Sequence, residues 1–208
     1  MYFYGGFMIM KKITALFLCL TLGVSMLTGC GSSKEETETT ALLSGLHHVE
    51  IEIEDHGTIA LELDADTAPV SVTNFIDLAK EGFYDGLTFH RIINGFMMQG
   101  GCPNGNGTGG SGKTIRGEFS QNKYENNISH VRGVVSMARS QQPNSASSQF
   151  FIVHQDSTFL DGQYAAFGYV TEGMDIVDVI CEQTPVQDSN GTVSAADQPK
   201  IVSVTVID

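Results

Sequence analysis

The clearest pattern along the chain is a period-two alternation of apolar and acidic residues. It runs through HVEIEI, residues 48–53, and returns in GTIALEL, residues 57–63, after the turn residues Asp55, His56 and Gly57. Successive side chains of a β-strand point to opposite faces of the sheet. The alternation therefore predicts a β-hairpin with one buried face and one solvated face.

Two other segments have the spacing of an amphipathic helix. In residues 68–80, apolar side chains recur at i, i+3, i+4 and i+7, and Pro69 lies where the first helical turn would begin. In residues 174–182, three aliphatic side chains share one helical face. We predict a short helix in each segment.

Short apolar runs separated by turns fill most of the remaining chain. They predict further strands at residues 87–93, 96–99, 134–138, 149–153, 165–170 and 200–207. Asn94 and Gly95 form a hairpin signal between the first two of these strands. Many short strands with two helices, and no regular alternation of strand and helix, favour an antiparallel sheet that closes into a barrel, because closure hides the strand edges.

The first thirty residues differ from the rest of the chain. Two lysines, at positions 11 and 12, precede the apolar run ITALFLCLTLGVSMLTGC, which is too short and too poorly flanked for a transmembrane helix and is typical of an export signal. Its last four residues, LTGC, resemble the lipobox of bacterial lipoproteins. We therefore predict a signal peptide at residues 1–29 and a lipidated Cys30. The alternative is an ordinary signal peptide in which Cys30 is incidental.

A polar, acidic segment follows the predicted lipidation site. Residues 31–44, GSSKEETETTALLS, have no apolar periodicity, so we expect a flexible, solvated linker. The remaining residues, 45–208, are enough for one well-buried core and few for two, so we expect one domain. Lipid on Cys30 would hold this domain outside the cytoplasm, at the surface of the bacterial cell membrane.

The net charge and the cysteine content limit the classes of ligand and partner that we expect this protein to bind. The formal net charge is −13, and removing residues 1–29 would take away two lysines and no acid. Such a surface repels nucleic acids and anionic lipids, so we expect no nucleic-acid partner and a membrane contact made by lipid alone. Cys102 and Cys181 show neither a CxxC pattern nor the His spacing of a zinc site, so we expect no metal. The two could form a disulfide outside the cytosol, but the sequence cannot place their Cα atoms, and we favour two unpaired thiols.

One glycine-rich segment imitates a nucleotide-binding motif. GTGGSGKT, residues 107–114, matches the P-loop pattern letter for letter. A P-loop follows a buried strand and opens a helix whose N-terminus holds the phosphates, whereas no helical pattern follows this segment. We interpret it as a surface loop and expect no nucleotide.

Four longer segments, in order along the domain, carry a family resemblance. They are FHRIINGFMMQGG, GTGGSGKTIRGEF, GVVSMARSQQPNSASSQFFI and FLDGQYAAFG. Together they resemble the signature segments of the cyclophilins, which are peptidyl-prolyl cis/trans isomerases. The resemblance implies a mainly β fold, a closed antiparallel eight-stranded β-barrel capped by two α-helices. The isomerase activity that the resemblance implies requires no cofactor. Nothing in the sequence indicates an assembly larger than a monomer.

The resemblance also implies roles for individual residues. Arg91 matches the catalytic arginine, and Gln99 matches the glutamine that binds the substrate backbone. The predicted walls of the proline pocket are Phe96, Met97, Phe151 and Leu160. The predicted rim residues are Ala138, Arg139 and Gln149.

Two positions depart from well-known cyclophilins. Phe159 stands where many members have Trp, so an aromatic wall remains while the indole N–H donor is lost. Tyr164 stands where many have His. We expect isomerase activity to persist, substrate preference to change, and cyclosporin to bind weakly.

An arginine suits the predicted reaction, because a guanidinium can donate to the proline nitrogen only when the twisted amide has lost its resonance. The predicted function is therefore acceleration of X–Pro isomerisation, with proline-containing peptides and unfolded exported proteins as partners. Two alternatives stay open. Arg91 could instead pair with an acid such as Glu118 to brace the barrel. The pocket could also serve a proline-peptide binding module or a holdase chaperone with little turnover.

Overall fold

The computed structural model describes residues 41–208. The predicted signal peptide, residues 1–29, and the predicted lipidation site Cys30 lie outside the described residues, as does most of the predicted linker. The last linker residues contact the domain: the N–H of Leu43 donates to Oγ1 of Thr73 at 2.9 Å, and Leu43 packs against the core. Among residues 41–208, no helix has the length and apolar character needed to cross a bilayer.

Eight strands and two helices build this part of the chain. In order, they are β1 Leu46–Ile53, β2 Gly57–Asp64, α1 Pro69–Lys80, β3 Phe89–Ile93, β4 Met97–Gly100, β5 Val134–Met137, β6 Phe150–Val153, β7 Ala166–Glu172, α2 Met174–Gln183 and β8 Ile201–Val206. The predicted hairpin, both predicted helices and the other predicted strands are confirmed, with ends that shift by one or two residues.

The strands form one antiparallel, curled sheet in the order β3-β4-β6-β5-β7-β2-β1-β8. In β1, Val49, Ile51 and Ile53 are buried, while Glu50 and Glu52 are exposed. The alternation read from the sequence therefore does give one apolar face and one solvated face.

The closed barrel expected from the sequence is not confirmed. β3 and β8 stand at the two ends of the strand order, and between them the described residues form an isolated bridge, Thr88 with Lys200, rather than a ladder. The N–H of Ile201 also donates to the carbonyl of Leu87 at 2.7 Å. The sheet is an open half-barrel whose ends approach each other at this point.

The segment between α2 and β8 explains why the ends do not pair further. The N–H of Ile92 donates to the carbonyl of Gly191 at 2.8 Å, and the N–H of Val193 donates to the carbonyl of His90 at 3.0 Å. Residues 191–193 thus pair with the outer edge of β3, and β8 cannot occupy the same backbone groups.

Apolar side chains fill the inside of the curled sheet and also cover part of its outside. On the inside, the ring of Phe75 from α1 lies 5.0 Å from the ring of Tyr84 and 5.3 Å from that of Phe150. Phe151, the next residue along β6, points the other way and joins a second cluster with Met97 and Leu160. This second cluster lies beneath the candidate site.

The N-terminus of α1 is capped by a distant carboxylate. Glu118 is fully buried and accepts hydrogen bonds from the N–H of Val70 at 2.9 Å and from the N–H and hydroxyl of Ser71 at 2.8 and 2.7 Å. These N–H groups have no partner within the helix, and a negative charge is favourable at this end of the helix dipole. Glu118 therefore fixes α1 against the loop that precedes the 3-10 turn Ser120–Asn122.

A second buried polar contact fixes the wall of the site. His130 is buried, its Nε2 lies 3.0 Å from the hydroxyl of Ser136, and its Nδ1 lies 2.9 Å from Asp161. Its ring stacks on Phe151 with 6.1 Å between centroids. Asp161 directly follows the 3-10 turn Thr158–Leu160, so His130 ties this turn to the sheet.

We expect Glu118→Gln to lower the free energy of unfolding by about 1–3 kcal/mol, because the amide NH₂ would face backbone donors that now bond to a carboxylate. Urea unfolding measures the change. Glu81→Gln, at the exposed C-terminal end of α1, is the matched control and should stay close to wild type. Equal stabilities of the two variants would contradict the capping role of Glu118.

Burial makes His130 a source of acid sensitivity. Desolvation lowers the pKa of His130 below its usual 6.5, although Asp161 acts in the opposite direction. The unfolded chain therefore binds a proton first, and stability present above pH 6.5 is lost as the pH falls toward the lower folded-state pKa.

We expect His130→Gln to lose less stability than wild type between pH 7.5 and about 5.5, as measured by urea midpoints. His56→Gln, at an exposed turn position, should lose as much as wild type. An equal or steeper loss in His130→Gln would show that the imidazole does not carry this dependence.

Candidate active site

The site is built on a cross-strand pair. Arg91 on β3 lies directly opposite Gln99 on β4, and Gln99 lies opposite Phe151 on β6. The turn that joins β3 to β4 uses Gly95 at a φ of 78°, a left-handed conformation that glycine adopts without strain. The two polar side chains singled out from the sequence therefore lie side by side because of strand register.

The guanidinium of Arg91 is held on two sides. Its Nε donates to the carbonyl of Asn190 at 2.8 Å, and its Nη1 donates to Oε1 of Gln99 at 3.3 Å and lies 3.7 Å from the sulfur of Met97. Within residues 41–208, its Nη2 has no hydrogen-bond partner. Burial lowers the pKa of Arg91, whereas Tyr164 and Asp188 raise it. An arginine starts so high that it stays protonated at neutral pH.

The alternative partner for Arg91 is not found. Glu118 bonds to the N-terminus of α1, and no carboxylate in the described part of the chain lies within ion-pair distance of Arg91. A half-buried guanidinium bound to a carbonyl and an amide keeps its full positive charge for a ligand. Bracing of the barrel by an Arg91–Glu118 pair is therefore wrong.

A chain of amides continues from Arg91 along the site. Nε2 of Gln99 donates to Oε1 of Gln149 at 2.9 Å, and Nε2 of Gln149 donates to the carbonyls of Gly107 at 2.9 Å and Gly109 at 2.7 Å. These bonds orient both amides and fix the glycine-rich loop beside the site. Directly after that loop, Ile115 forms an isolated bridge with Ala146 and no α-helix begins, as expected from its interpretation as a false P-loop.

The same loop encloses one of the two cysteines. The N–H of Gly109 donates to the sulfur of Cys102 at 3.3 Å. Burial raises the pKa of this thiol, but several backbone N–H groups of the loop together outweigh burial and lower the pKa. Burial raises the pKa of Cys181 to about 12. Both cysteines are free and buried, which confirms the two unpaired thiols.

A cavity of about 410 Å³ lies over the cross-strand pair. Ten of the eleven residues predicted for the site line it: Arg91, Phe96, Met97, Gln99, Ala138, Arg139, Phe151, Phe159, Leu160 and Tyr164. The eleventh, Gln149, lines an adjoining cavity of about 270 Å³ that shares Gln99, Ala138 and Arg139. The structure therefore brings all eleven together, and their individual roles stay predictions.

Aromatic rings shape the larger cavity. Phe151 is 4% exposed, and the ring of Tyr164 meets it edge-on with 5.9 Å between centroids. Phe96 and Phe159 lie 5.6 Å apart at the mouth, where Phe159 is 65% exposed. The result is a slot with an apolar, buried base and an open aromatic rim.

Arg139 is more constrained than a cation free at the rim. Its guanidinium lies 4.9 Å from the ring of Phe119 and 4.7 Å from that of Tyr164, and its Nε donates to the carbonyl of Gln163 at 2.8 Å. Stacking on two rings and bonding to backbone carbonyls fix its position. Arg139 therefore supports the wall that Tyr164 forms.

Sequence reasoning missed the residues that hold the site from outside. Asn190 supplies the carbonyl on Arg91, while His130 and Asp161 fix the 3-10 turn that carries Phe159. The residues DSNG, 188–191, do carry a turn signal. Nothing local to that turn shows that it lies against β3.

Comparisons with known proteins agree with this geometry. The family model described as cyclophilin type peptidyl-prolyl cis-trans isomerase matches residues 48–206. Peptidyl-prolyl cis-trans isomerase B of Bacillus subtilis is 49% identical over 123 residues, which are 59% of this chain and 82% of that protein. A probable peptidyl-prolyl cis-trans isomerase of Brucella suis is 40% identical over 204 residues, covering 92% of both chains.

Comparison with solved structures indicates the same family. A cyclophilin-type peptidyl-prolyl cis-trans isomerase of Cryptosporidium parvum matches with a TM-score of 0.69 at 29% identity, over 79% of this chain and 99% of that one. The structure of that protein in the presence of the dipeptide Ala-Pro matches with a TM-score of 0.68 at 30% identity, over 77% of this chain and 99% of that one. With sequence, fold and site in agreement, the chain belongs to the cyclophilin-type peptidyl-prolyl cis-trans isomerases and is an enzyme of that class.

Proposed function

We propose that this enzyme accelerates X–Pro isomerisation in exported proteins, and that Arg91 stabilises the twisted amide. The observation that carries the proposal is the state of the guanidinium. It is fixed by Asn190 and Gln99, Nη2 has no partner among the described residues, and Arg91 lines a cavity with apolar walls. Such a group is ready to donate to an atom of a bound peptide without first being reoriented.

The reaction requires a donor that distinguishes the twisted amide from the planar one. Resonance makes the barrier about 20 kcal/mol, and in the planar amide the lone pair of the proline nitrogen is delocalised. Halfway through the rotation the conjugation is broken and the nitrogen accepts a hydrogen bond. A donor that bonds only at this stage lowers the barrier without tightening the ground state.

The apolar base of the cavity increases the effect of that donor. Met97, Phe151 and Leu160 are buried, so a proline ring resting on them excludes water, and the electrostatic interaction with Arg91 is less screened. The amides of Gln99 and Gln149 hold the flanking peptide, and their mutual bond limits their freedom beforehand.

The rate enhancement that the reaction needs can be divided between the oriented donor and the positioning of the peptide. Raising a rate of about 0.01 per second to about 1,000 per second takes five decades, or roughly 7 kcal/mol. One oriented donor contributes on the order of two to three decades. Positioning of the peptide in the slot supplies the rest.

Proline-containing peptides are the proposed ligands. The relative from Cryptosporidium parvum was solved in the presence of Ala-Pro. We extend this ligand class to the present chain because ten predicted site residues line one slot with a buried apolar base.

A second candidate is a binding module or holdase with little turnover. The observation in its favour is Phe159, which is exposed at the mouth and lacks an N–H donor. Such a module would hold proline peptides without speeding their isomerisation. The lost donor is the same reason for expecting weak cyclosporin binding.

We expect Arg91→Lys to lower turnover roughly 10²- to 10³-fold on a short Ala-Pro peptide, because an ammonium lacks the directed fork that reaches the nitrogen. Two-dimensional exchange NMR measures cis/trans interconversion, and titration shifts in the same samples give the affinity, which should change little. Arg116→Lys, at an exposed position, is the matched control.

Two results would overturn parts of this proposal. Wild-type exchange rates in Arg91→Lys would remove Arg91 from the mechanism. Binding shifts without faster exchange in the wild-type protein would favour the module over the enzyme.

We also propose that the mature protein is a lipoprotein at the outer face of the bacterial cell membrane. LTGC at residues 27–30 follows an apolar run with basic residues before it, and an acidic segment follows Cys30. The chain carries a net charge of −13, which disfavours direct binding to anionic lipids.

We expect Cys30→Ser to abolish labelling by an alkyne fatty acid in cells and to leave a larger precursor that retains residues 1–29. Cys19→Ser, within the same apolar run, should keep both the label and the processing. Gel mobility and mass spectrometry of the purified proteins report the two results, and a label that persists in Cys30→Ser would reject the anchor.

A further inference from the structure

A third cavity also borders the cross-strand pair of Arg91 and Gln99. Its volume is about 440 Å³, and it shares Arg91 and Gln99 with the slot described above. Its other walls come from the loop at residues 104–107 and from residues between α2 and β8. Arg91 is the one charged side chain among the residues that line it, apart from the titratable His90.

His90 is the unusual residue in this cavity. The pairing of β3 with β4 shifts register between Phe89 and Arg91, so His90 is the extra residue of a bulge. It is 5% exposed and lines the cavity. Of the buried side-chain nitrogens and oxygens in residues 41–208, the two ring nitrogens of His90 are the ones without a hydrogen-bond partner. Buried polar groups are nearly always bonded, so these nitrogens require a partner from outside the chain.

Several polar side chains in the other walls of the cavity already have hydrogen-bond partners within the chain. Nε2 of Gln198 donates to the carbonyls of Gly105 at 2.9 Å and Val193 at 3.1 Å. The hydroxyl of Ser194 donates to Asp197, and that of Thr192 donates to Asp188 at 2.9 Å. These side chains are already bonded, so the unmet hydrogen-bonding capacity of the cavity lies at His90.

The chemistry of His90 defines what the cavity can bind. Burial lowers the pKa of His90 and the charge on Arg91 lowers it further. The nearby backbone of Thr88 raises this pKa, although its geometry does not meet that of a hydrogen bond to either ring nitrogen. A neutral imidazole presents one donor and one acceptor. The two ring nitrogens point away from each other, so one ligand group bonds to one of them; Nε2 lies beside Gly107, which also lines the cavity. A group that can both donate and accept bonds to that nitrogen in either tautomer. A cation would be repelled by Arg91, and an aliphatic group would leave the imidazole unbonded.

We propose that this cavity is a subsite for a substrate side chain that bears a hydroxyl or a carboxamide, one or two residues from the proline. An extended peptide advances about 3.3–3.6 Å per residue, so a near neighbour of a proline bound over Arg91 reaches past the cross-strand pair. The proposal rests on the proposed isomerase function and adds a preference for Ser, Thr, Asn or Gln beside the proline.

The test uses peptides that differ by one group of atoms. The parent peptide is Ala-Ala-Ala-Pro-Ala-Ala. Four positions, the two before the proline and the two after it, are changed one at a time. Each is replaced by Thr, Val, Asn or Leu in separate peptides. Exchange NMR gives kcat/KM for wild type and for His90→Leu, with His56→Leu at an exposed turn position as the control. At one of these positions we expect kcat/KM to be about 3- to 10-fold higher with Thr than with Val, and with Asn than with Leu, in both wild type and the control.

The ratio, rather than the absolute rate, decides the outcome. In His90→Leu the Thr/Val ratio should fall to about one, whatever happens to the rate on the all-alanine peptide. No preference at any of the four positions, or a preference that survives in His90→Leu, would overturn the subsite and leave a cavity filled by water.

A second measurement does not depend on the variant. The ring ¹⁵N resonances of His90 in wild type should move on adding the preferred Thr peptide and stay unchanged with its Val counterpart; equal responses would overturn the proposal. Failure of the proposed function is recognised separately, because wild type would then not isomerise the all-alanine peptide.

Discussion

The site depends on one constraint: a positive side chain is held half-buried by neutral partners. Arg91 bonds to a backbone carbonyl and to an amide oxygen, and no carboxylate in the described residues neutralises it. A carboxylate in place of Gln99 would form a tight ion pair with Arg91 and neutralise its charge. Neutral acceptors orient the guanidinium while its electrostatic field remains directed into the slot. The strand register, the amide chain through Gln149 and the loop ending at Asn190 all serve to keep this arrangement.

The parts of the fold that the sequence predicted are those with local periodicity. The β1–β2 hairpin and α1 follow from the spacing of apolar residues within a few positions, and so do the strands that carry Arg91 and Gln99. The contacts that escaped prediction are distant in sequence. Arg91 and Asn190 are 99 positions apart, and Glu118 caps a helix 47 positions earlier. Nothing in the immediate neighbourhood of Glu118 distinguishes a helix cap from an exposed acid.

The residues of the slot were predictable for a different reason. Phe96, Met97, Phe151 and Leu160 taken singly are ordinary core residues. Four long segments in order gave them joint meaning, and the fold then placed them around one cavity. The same resemblance placed Arg139 at the rim; Arg139 does line the cavity, and it also stacks on Phe119 and Tyr164 and so supports the wall. It also suggested full closure of the barrel, where residues 191–193 occupy the edge of β3 instead.

That covered edge has a consequence for a protein proposed to work among incompletely folded chains. An unpaired strand is a template on which extended polypeptides aggregate. Because residues 191–193 saturate the backbone groups of β3 next to Arg91, a client can meet the enzyme there through its proline and side chains but cannot add itself as a further strand. The segment that orients the guanidinium thereby also closes this edge of the sheet to strand addition.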